Sequence, residues 1–262
     1  MIKEPGKTGL FFLLGHDIGL CNLAKNSCLP LSAANLFMNF KTIIMNNKTL
    51  YHFILDKSGS MGNCRQQTID GFNSQLETVQ SLQSEFANQE LLLSLTVFDD
   101  RVDHVRNSRT ISDFKALSPT DYFPSGQTAL LDAIGESIDR IRLVYDNEIR
   151  DDKMSVVVII LTDGQENASR RFSYHQIASQ ISLLEESGRW TFNFLGADID
   201  AVHTSKMLNI RMENVVSFSK GDMGEMMGNV SRGMHYYSRA KATGKVKKDF
   251  LDFMLRKDRR NQ

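Results

Sequence analysis

The sequence is poor in the features that mark several large functional classes. It has three cysteines in 262 residues, Cys21, Cys28 and Cys64, an odd number without the paired spacing of a zinc site. That excludes a disulfide framework and fits a reducing compartment, so a cytoplasmic location is expected. Acidic and basic side chains balance at 31 each. No broad basic field favours nucleic acid, and a duplex-binding role is not expected. The apolar run Leu10-Phe11-Phe12-Leu13-Leu14 is far too short to cross a bilayer, so no transmembrane segment is expected. Catalytic signatures are missing as well. There is no His-Glu-x-x-His, no phosphate-cradling Gly-x-x-x-x-Gly-Lys and no nucleophile–His–acid set. The six histidines (His16, His52, His104, His175, His203, His235) show no ligand spacing such as His-x-x-x-His.

What is present is enough apolar sequence, 41%, for one sizeable domain plus extras. Residues 1–44 read differently from the rest, as a poorly ordered or misassigned leader. Lys3, Lys7 and the short apolar run resemble a signal peptide, but His16 and Asp17 break the run, no clean cleavage site follows, and Met45 makes a natural start. From Thr49 the pattern becomes regular. A first strand ends at Leu55, and Ile69, Phe72, Leu76, Val79 and Leu82 then recur at helical spacing. Leu91–Phe98 is a second strand, and Asp99-Asp100 turns it into an alternating segment, Arg101–Arg106, that pairs back as an antiparallel edge. A helix follows Thr128. The run Val156-Val157-Val158-Ile159-Ile160-Leu161 fits a strand buried on both faces at the sheet centre. Further strands are expected at Thr191–Gly196 and Val215–Phe218, with a Met-rich closing helix from Lys220 to about Lys241 and a basic tail over 241–262.

This alternation predicts an α/β fold: a doubly wound, Rossmann-like, mostly parallel six-stranded sheet with one antiparallel edge strand and helices on both faces. Ligands in such sheets sit beyond the carboxyl ends of the strands, where strand order reverses. With order 3-2-1-4-5-6, the strands ending at Leu55 and Leu161 are neighbours there, and Asp56 and Asp163 project toward one point. Asp56, Ser58 and Ser60 form a run of hard oxygen donors at alternate positions, with Gly59 allowing a tight turn. A small hard cation wants such donors. The same residues are usual helix caps, and Thr128 reads as the N-cap of a helix starting at Ala129; capping and ligation can hold together.

Asp56-x-Ser58-x-Ser60 after a first strand, Thr128 in a second loop and Asp163-Gly164 after a central strand together resemble the von Willebrand factor A domain and its metal-ion-dependent adhesion site. The resemblance spans about residues 49–240. Leu55–Met61, Gly126–Ala133 and Leu161–Ser169 are similar to the standalone bacterial and phage-encoded type. The resemblance implies that Ser58 and Ser60 bind Mg2+ directly, with Mn2+ as a substitute. Thr128 acts directly or through water, and Asp56 and Asp163 mostly through water. It further implies an open coordination position that takes a Glu or Asp carboxylate from a partner protein. The expected function is metal-dependent protein binding, not catalysis. The alternatives are a metal-dependent hydrolase, or a fold kept for structural interaction alone. Asp56 is expected in a surface loop, so that Asp56→Ala leaves the fold largely intact. Asp132 and Glu166 read as solvated acids near helix starts. Asp99-Asp100 read as turn residues, Cys64 as a small buried apolar group, and the methionines at 223, 226, 227 and 234 as packing.

Overall fold

The computed structural model describes residues 47–107, 111–199, 201–244 and 249–251. The expectations for residues 1–44 and for most of the basic tail, and Cys21 and Cys28 with them, lie outside these residues. Strand β1 (Lys48–Asp56) leads through a 3-10 turn (Gly59–Cys64) into helix α1 (Arg65–Glu85). Strand β2 (Glu90–Phe98) turns into β3 (Val102–Asn107), and helix α2 (Leu130–Arg150) follows. Strand β4 (Met154–Thr162), helix α3 (Tyr174–Glu186) and strand β5 (Trp190–Ala197) come next. Helix α4 (Ala201–Met207), strand β6 (Val215–Phe218) and helix α5 (Met223–Ala242) complete the described elements.

The strand order is β3-β2-β1-β4-β5-β6. Every pairing is parallel except β2 with β3, which is antiparallel and carries a register shift between Leu95 and Val97. This is the doubly wound sheet with one antiparallel edge that the hydrophobic pattern predicts.

Alternation along the central strands divides the interior in two. Tyr51, Phe53 and Leu55 of β1 and Val157, Ile159 and Leu161 of β4 face α1 and α5. Leu50 and Ile54, with Val156, Val158 and Ile160, face α2 and α3. Both faces are covered, which is why β1 and β4 read as nearly continuous apolar runs. The four methionines of α5 are packing groups, each at most 3% exposed. Helix α3 starts with a capping box, in which Ser173 and Gln176 satisfy each other's backbone N–H groups. Phe250 and Leu251, within the expected tail, are buried in the α1/α5 face.

Candidate metal centre

Strand register sets the floor of the site. Leu55 of β1 pairs with Leu161 of β4, so the next residues, Asp56 and Thr162, lie side by side at the carboxyl ends of the two central strands. Thr162 Oγ1 donates to Asp56 Oδ2 at 2.5 Å, and Ser58 N donates to Asp56 Oδ1 at 2.7 Å. Asp56 is the last residue of β1 and fully buried, which corrects its expected place in a surface loop. Burial pushes its carboxyl up to about 6, against the pull of the Thr162 and Ser58 hydrogen bonds and with the charge of Asp163 adding to the rise.

Above this floor the chain turns sharply. Ser58 Oγ and Ser60 Oγ lie 3.1 Å apart, and Ser60 Oγ donates to Asp163 Oδ1 at 2.6 Å. The loop after β1 (residues 57–64, the first loop) and the loop after β4 (residues 163–173, the third loop) thus meet through their side chains. The second loop is pinned by backbone: Gly59 N donates to Gly126 O at 3.2 Å and Ser125 N to Lys57 O at 2.8 Å. Gly126 has φ +68°, and a Cβ there would collide with the Asp100 carboxylate. Thr128 is closed against the third loop. A Cβ added to Gly164 would stand 2.6 Å from Thr128 Oγ1, so only glycine lets the two loops approach this closely. The structure therefore brings Asp56, Ser58, Ser60 and Asp163 into one hydrogen-bonded chain and sets Thr128 against its neighbour Gly164.

Several supporting residues differ from the sequence reading. Thr128 is not the helix cap; Ala129 holds that position without a side-chain cap bond. Instead Thr128 N donates to Asn167 Oδ1 at 2.9 Å and Thr128 O accepts from Asn167 N at 3.0 Å. Asp132 and Glu166 are not solvated acids. Asp132 is 8% exposed and accepts the backbone N–H groups of Arg170, Arg171 and Phe172 at 2.8–2.9 Å. Glu166 accepts from Leu131 N, Ala168 N and Ser169 N. Together they staple the third loop onto the start of α2. Asp99 does form the expected turn, accepting from Arg101 N at 2.8 Å, but it also ion-pairs with Lys57 and its carbonyl anchors Ala129 N. Beneath the second loop, Tyr122 is buried and its hydroxyl donates to Asp56 O.

Sequence reasoning missed Lys220 altogether. Its Nζ stands 2.6 Å from Asp163 Oδ2 and donates to Ser60 O at 3.2 Å. Asp163 Oδ2 is a buried atom, and the ammonium at this distance offers it both a charge and an N–H donor. Partial burial works against the Lys220 ammonium, but Asp163, with Asp198 behind it, outweighs that and holds its pKa above the ordinary lysine value. The β6–α5 connection reaches the same sheet edge as the first and third loops, and that topology was the one signal that could have pointed to it.

The donor set suits a small hard cation. Two carboxylates and two hydroxyls converge, Thr128 is set against Gly164 beside them, and a side-chain ammonium already rests on the cluster. Among the described residues, no group of three or more His, Cys, Asp or Glu side chains is placed to hold a metal ion. No helix among them is long and apolar enough to cross a membrane.

No curated protein sequence matches this chain. Among solved structures, the von Willebrand factor domain of the type V pili tip protein Mfa5 from Porphyromonas gingivalis is similar. Its TM-score is 0.56 at 10% identity, covering 73% of this chain and 96% of that one. The manganese-loaded TRAP protein of Plasmodium vivax has a TM-score of 0.48 at 16% identity, covering 70% and 73% of the two chains. Proximal thread matrix protein 1 from the mussel byssus, solved with a zinc-occupied site, has a TM-score of 0.46 at 17% identity, covering 77% of this chain and 50% of that one. At 10% identity the likeness to the Mfa5 domain speaks for the fold alone. The sequence profile of the von Willebrand factor type A domain matches residues 52–229, and with the strand order and loop arrangement described above this chain belongs to that family.

Proposed function

We propose that the chain is a metal-dependent protein-binding module. Ser58, Ser60 and Thr128 supply hydroxyls to a Mg2+ ion, or Mn2+ in its place, and Asp56 and Asp163 orient the shell from behind. The observation that carries this reading is the seating of the Lys220 ammonium on Asp163 and Ser60, since a cluster that draws in a side-chain cation has the field to hold a free one. When bound, the ion supplies an electrophilic position for an anionic oxygen. The chain's own residues do the rest. Neutral hydroxyls leave much of the ion's charge unquenched, and the Thr162 and Ser58 hydrogen bonds fix the Asp56 carboxylate in place. The ligand that fits is a Glu or Asp carboxylate presented by another protein. Phe123, 65% exposed and flanked by the Arg65 guanidinium 5.1 Å from its ring centroid, offers an apolar contact close by in the chain. Within the family, the loop sequences favour the standalone bacterial and phage-encoded type, working in the cytoplasm.

Binding is favoured over hydrolysis because a hydrolase needs a general base free to take a proton from water. Asp56 is enclosed by Thr162 and Ser58, and Asp163 is engaged by Ser60 and Lys220. The test is co-purification with and without excess chelator. Partners released by chelator and restored by Mg2+ or Mn2+ are the expected result. Partners retained in excess chelator, and held equally by Asp56→Ala, would replace metal bridging with purely structural association.

A further inference from the structure

Lys220 sits where its role can be separated from that of every other residue in the cluster. It opens the 3-10 turn Lys220–Asp222 that links β6 to α5. Its side chain crosses from that connection to the first and third loops, ending 2.6 Å from Asp163 Oδ2 and 3.2 Å from Ser60 O. Asp163 Oδ2 is buried and faces the ammonium, while Asp163 Oδ1 is held by Ser60 Oγ at 2.6 Å. Among the described residues, the Lys220 ammonium is the cation that neutralises that oxygen. A buried carboxylate oxygen left without a counter-charge is costly, so the metal-free domain needs something there.

We infer that Lys220 is a tethered competitor for the metal: it occupies the cation's place in the metal-free domain and has to be displaced before a divalent ion enters. The inference rests on the proposed metal site but adds a property to it. A competitor lowers apparent affinity by the fraction of molecules in which the site stands open. The pair is neither fully exposed nor fully enclosed; the side chain of Lys220 is 23% exposed and that of Asp163 fully buried. An exposed pair would hold such a site shut by up to about fivefold, and burial of the Asp163 carboxylate strengthens the hold, so loss of the pair raises affinity roughly five- to thirtyfold. Asp198 stands ready for the displaced group, since its Oδ1 already accepts the Lys220 backbone N–H at 3.2 Å. The domain therefore ignores trace metal and fills only when the ion is abundant enough to outcompete its own lysine.

The experiment is calorimetric titration of MnCl2 into the metal-stripped full chain, for wild type, Lys220→Met, Lys220→Gln and the control Lys206→Met. Lys206 is exposed on α4, so it reports the effect of one lost surface charge. The expected result is Mn2+ binding roughly five- to thirtyfold tighter in both Lys220 variants and unchanged in Lys206→Met. In chelator the Lys220 variants melt below wild type, because Asp163 has lost its counter-charge, and saturating Mn2+ closes the gap. Equal or weaker Mn2+ binding by Lys220→Met, with wild type binding normally, overturns the competition and leaves the site. No binding by any of the proteins overturns both.

Discussion

Replacing Asp132 by alanine removes one carboxylate and, with it, the acceptor of three consecutive backbone N–H groups. Arg170 N, Arg171 N and Phe172 N donate to it at 2.8, 2.9 and 2.9 Å. A hydrogen bond to a charged acceptor contributes about 1.5–3 kcal/mol, so a plain sum over three gives about 4.5–9 kcal/mol. Two effects reduce that figure. The three bonds share one charge and are not additive, and Arg170 and Arg171 are exposed, so water can reach their N–H groups. Alanine also suits the first turn of α2. The expected loss is about 2–4 kcal/mol, a fall in melting temperature of roughly 6–12 °C for a domain of this size. Asp132→Asn keeps an acceptor oxygen without the charge and should fall between wild type and Asp132→Ala. Chemical denaturation in chelator, read by circular dichroism, measures both. An Asp132→Ala midpoint indistinguishable from wild type would show that the 164–172 loop holds itself up, and the stapling argument would be wrong.

Asp56→Asn should stabilise the metal-stripped domain and abolish Mn2+ binding together. The asparagine can accept from Ser58 N and donate to Thr162 Oγ1, which can still donate to Gly164 O. The fold holds the Asp56 carboxyl at about 6, against an ordinary 3.8, so at pH 7 it opposes ionisation by about 3 kcal/mol and the neutral amide escapes that penalty. A lower melting temperature for Asp56→Asn in chelator would contradict this. His52, between Leu50 and Ile54 on the α2 side of β1, predicts an acid sensitivity as well. It is buried, bonded through Nδ1 to Ser94 Oγ at 2.6 Å, and burial, with the His104 charge adding, lowers its pKa from 6.5 to about 3. The unfolded chain takes a proton that the fold refuses, so stability falls as pH drops below 6.5 and levels near 3, by up to about 1.4 kcal/mol per pH unit. Comparing wild type with His52→Gln from pH 7 to 5 isolates this slope from that of Asp56; parallel curves would refute it.

The sheet was legible because burial on both faces writes itself as unbroken β-branched runs, and the helices because their apolar stripes recur at their own period. The juxtaposition of Asp56 with Asp163 followed from strand order alone. The depth of Asp56 was harder to see. It depends on Thr162 and Tyr122 closing over it, contacts spanning 106 and 66 residues that no local pattern records. Asp132 and Glu166 look like ordinary helix-start acids, and only the path of the third loop turns them into backbone acceptors. His52, Ser94, Thr96, His104 and Ser137 likewise join into one polar chain across three strands and α2, buried except at His104, although nothing in their spacing announces it. Lys220 escaped notice because its reach depends on a long flexible stem crossing between distant loops.

The central claim is that hydroxyls and carboxylates from the first, second and third loops enclose one divalent ion. Anomalous diffraction from crystals grown in MnCl2 tests it most directly. A single strong peak bounded by Ser58, Ser60, Thr128, Asp56 and Asp163, with the Lys220 ammonium moved away, is the predicted result. A crystal of the folded domain at saturating Mn2+ with no peak among those five residues would contradict it.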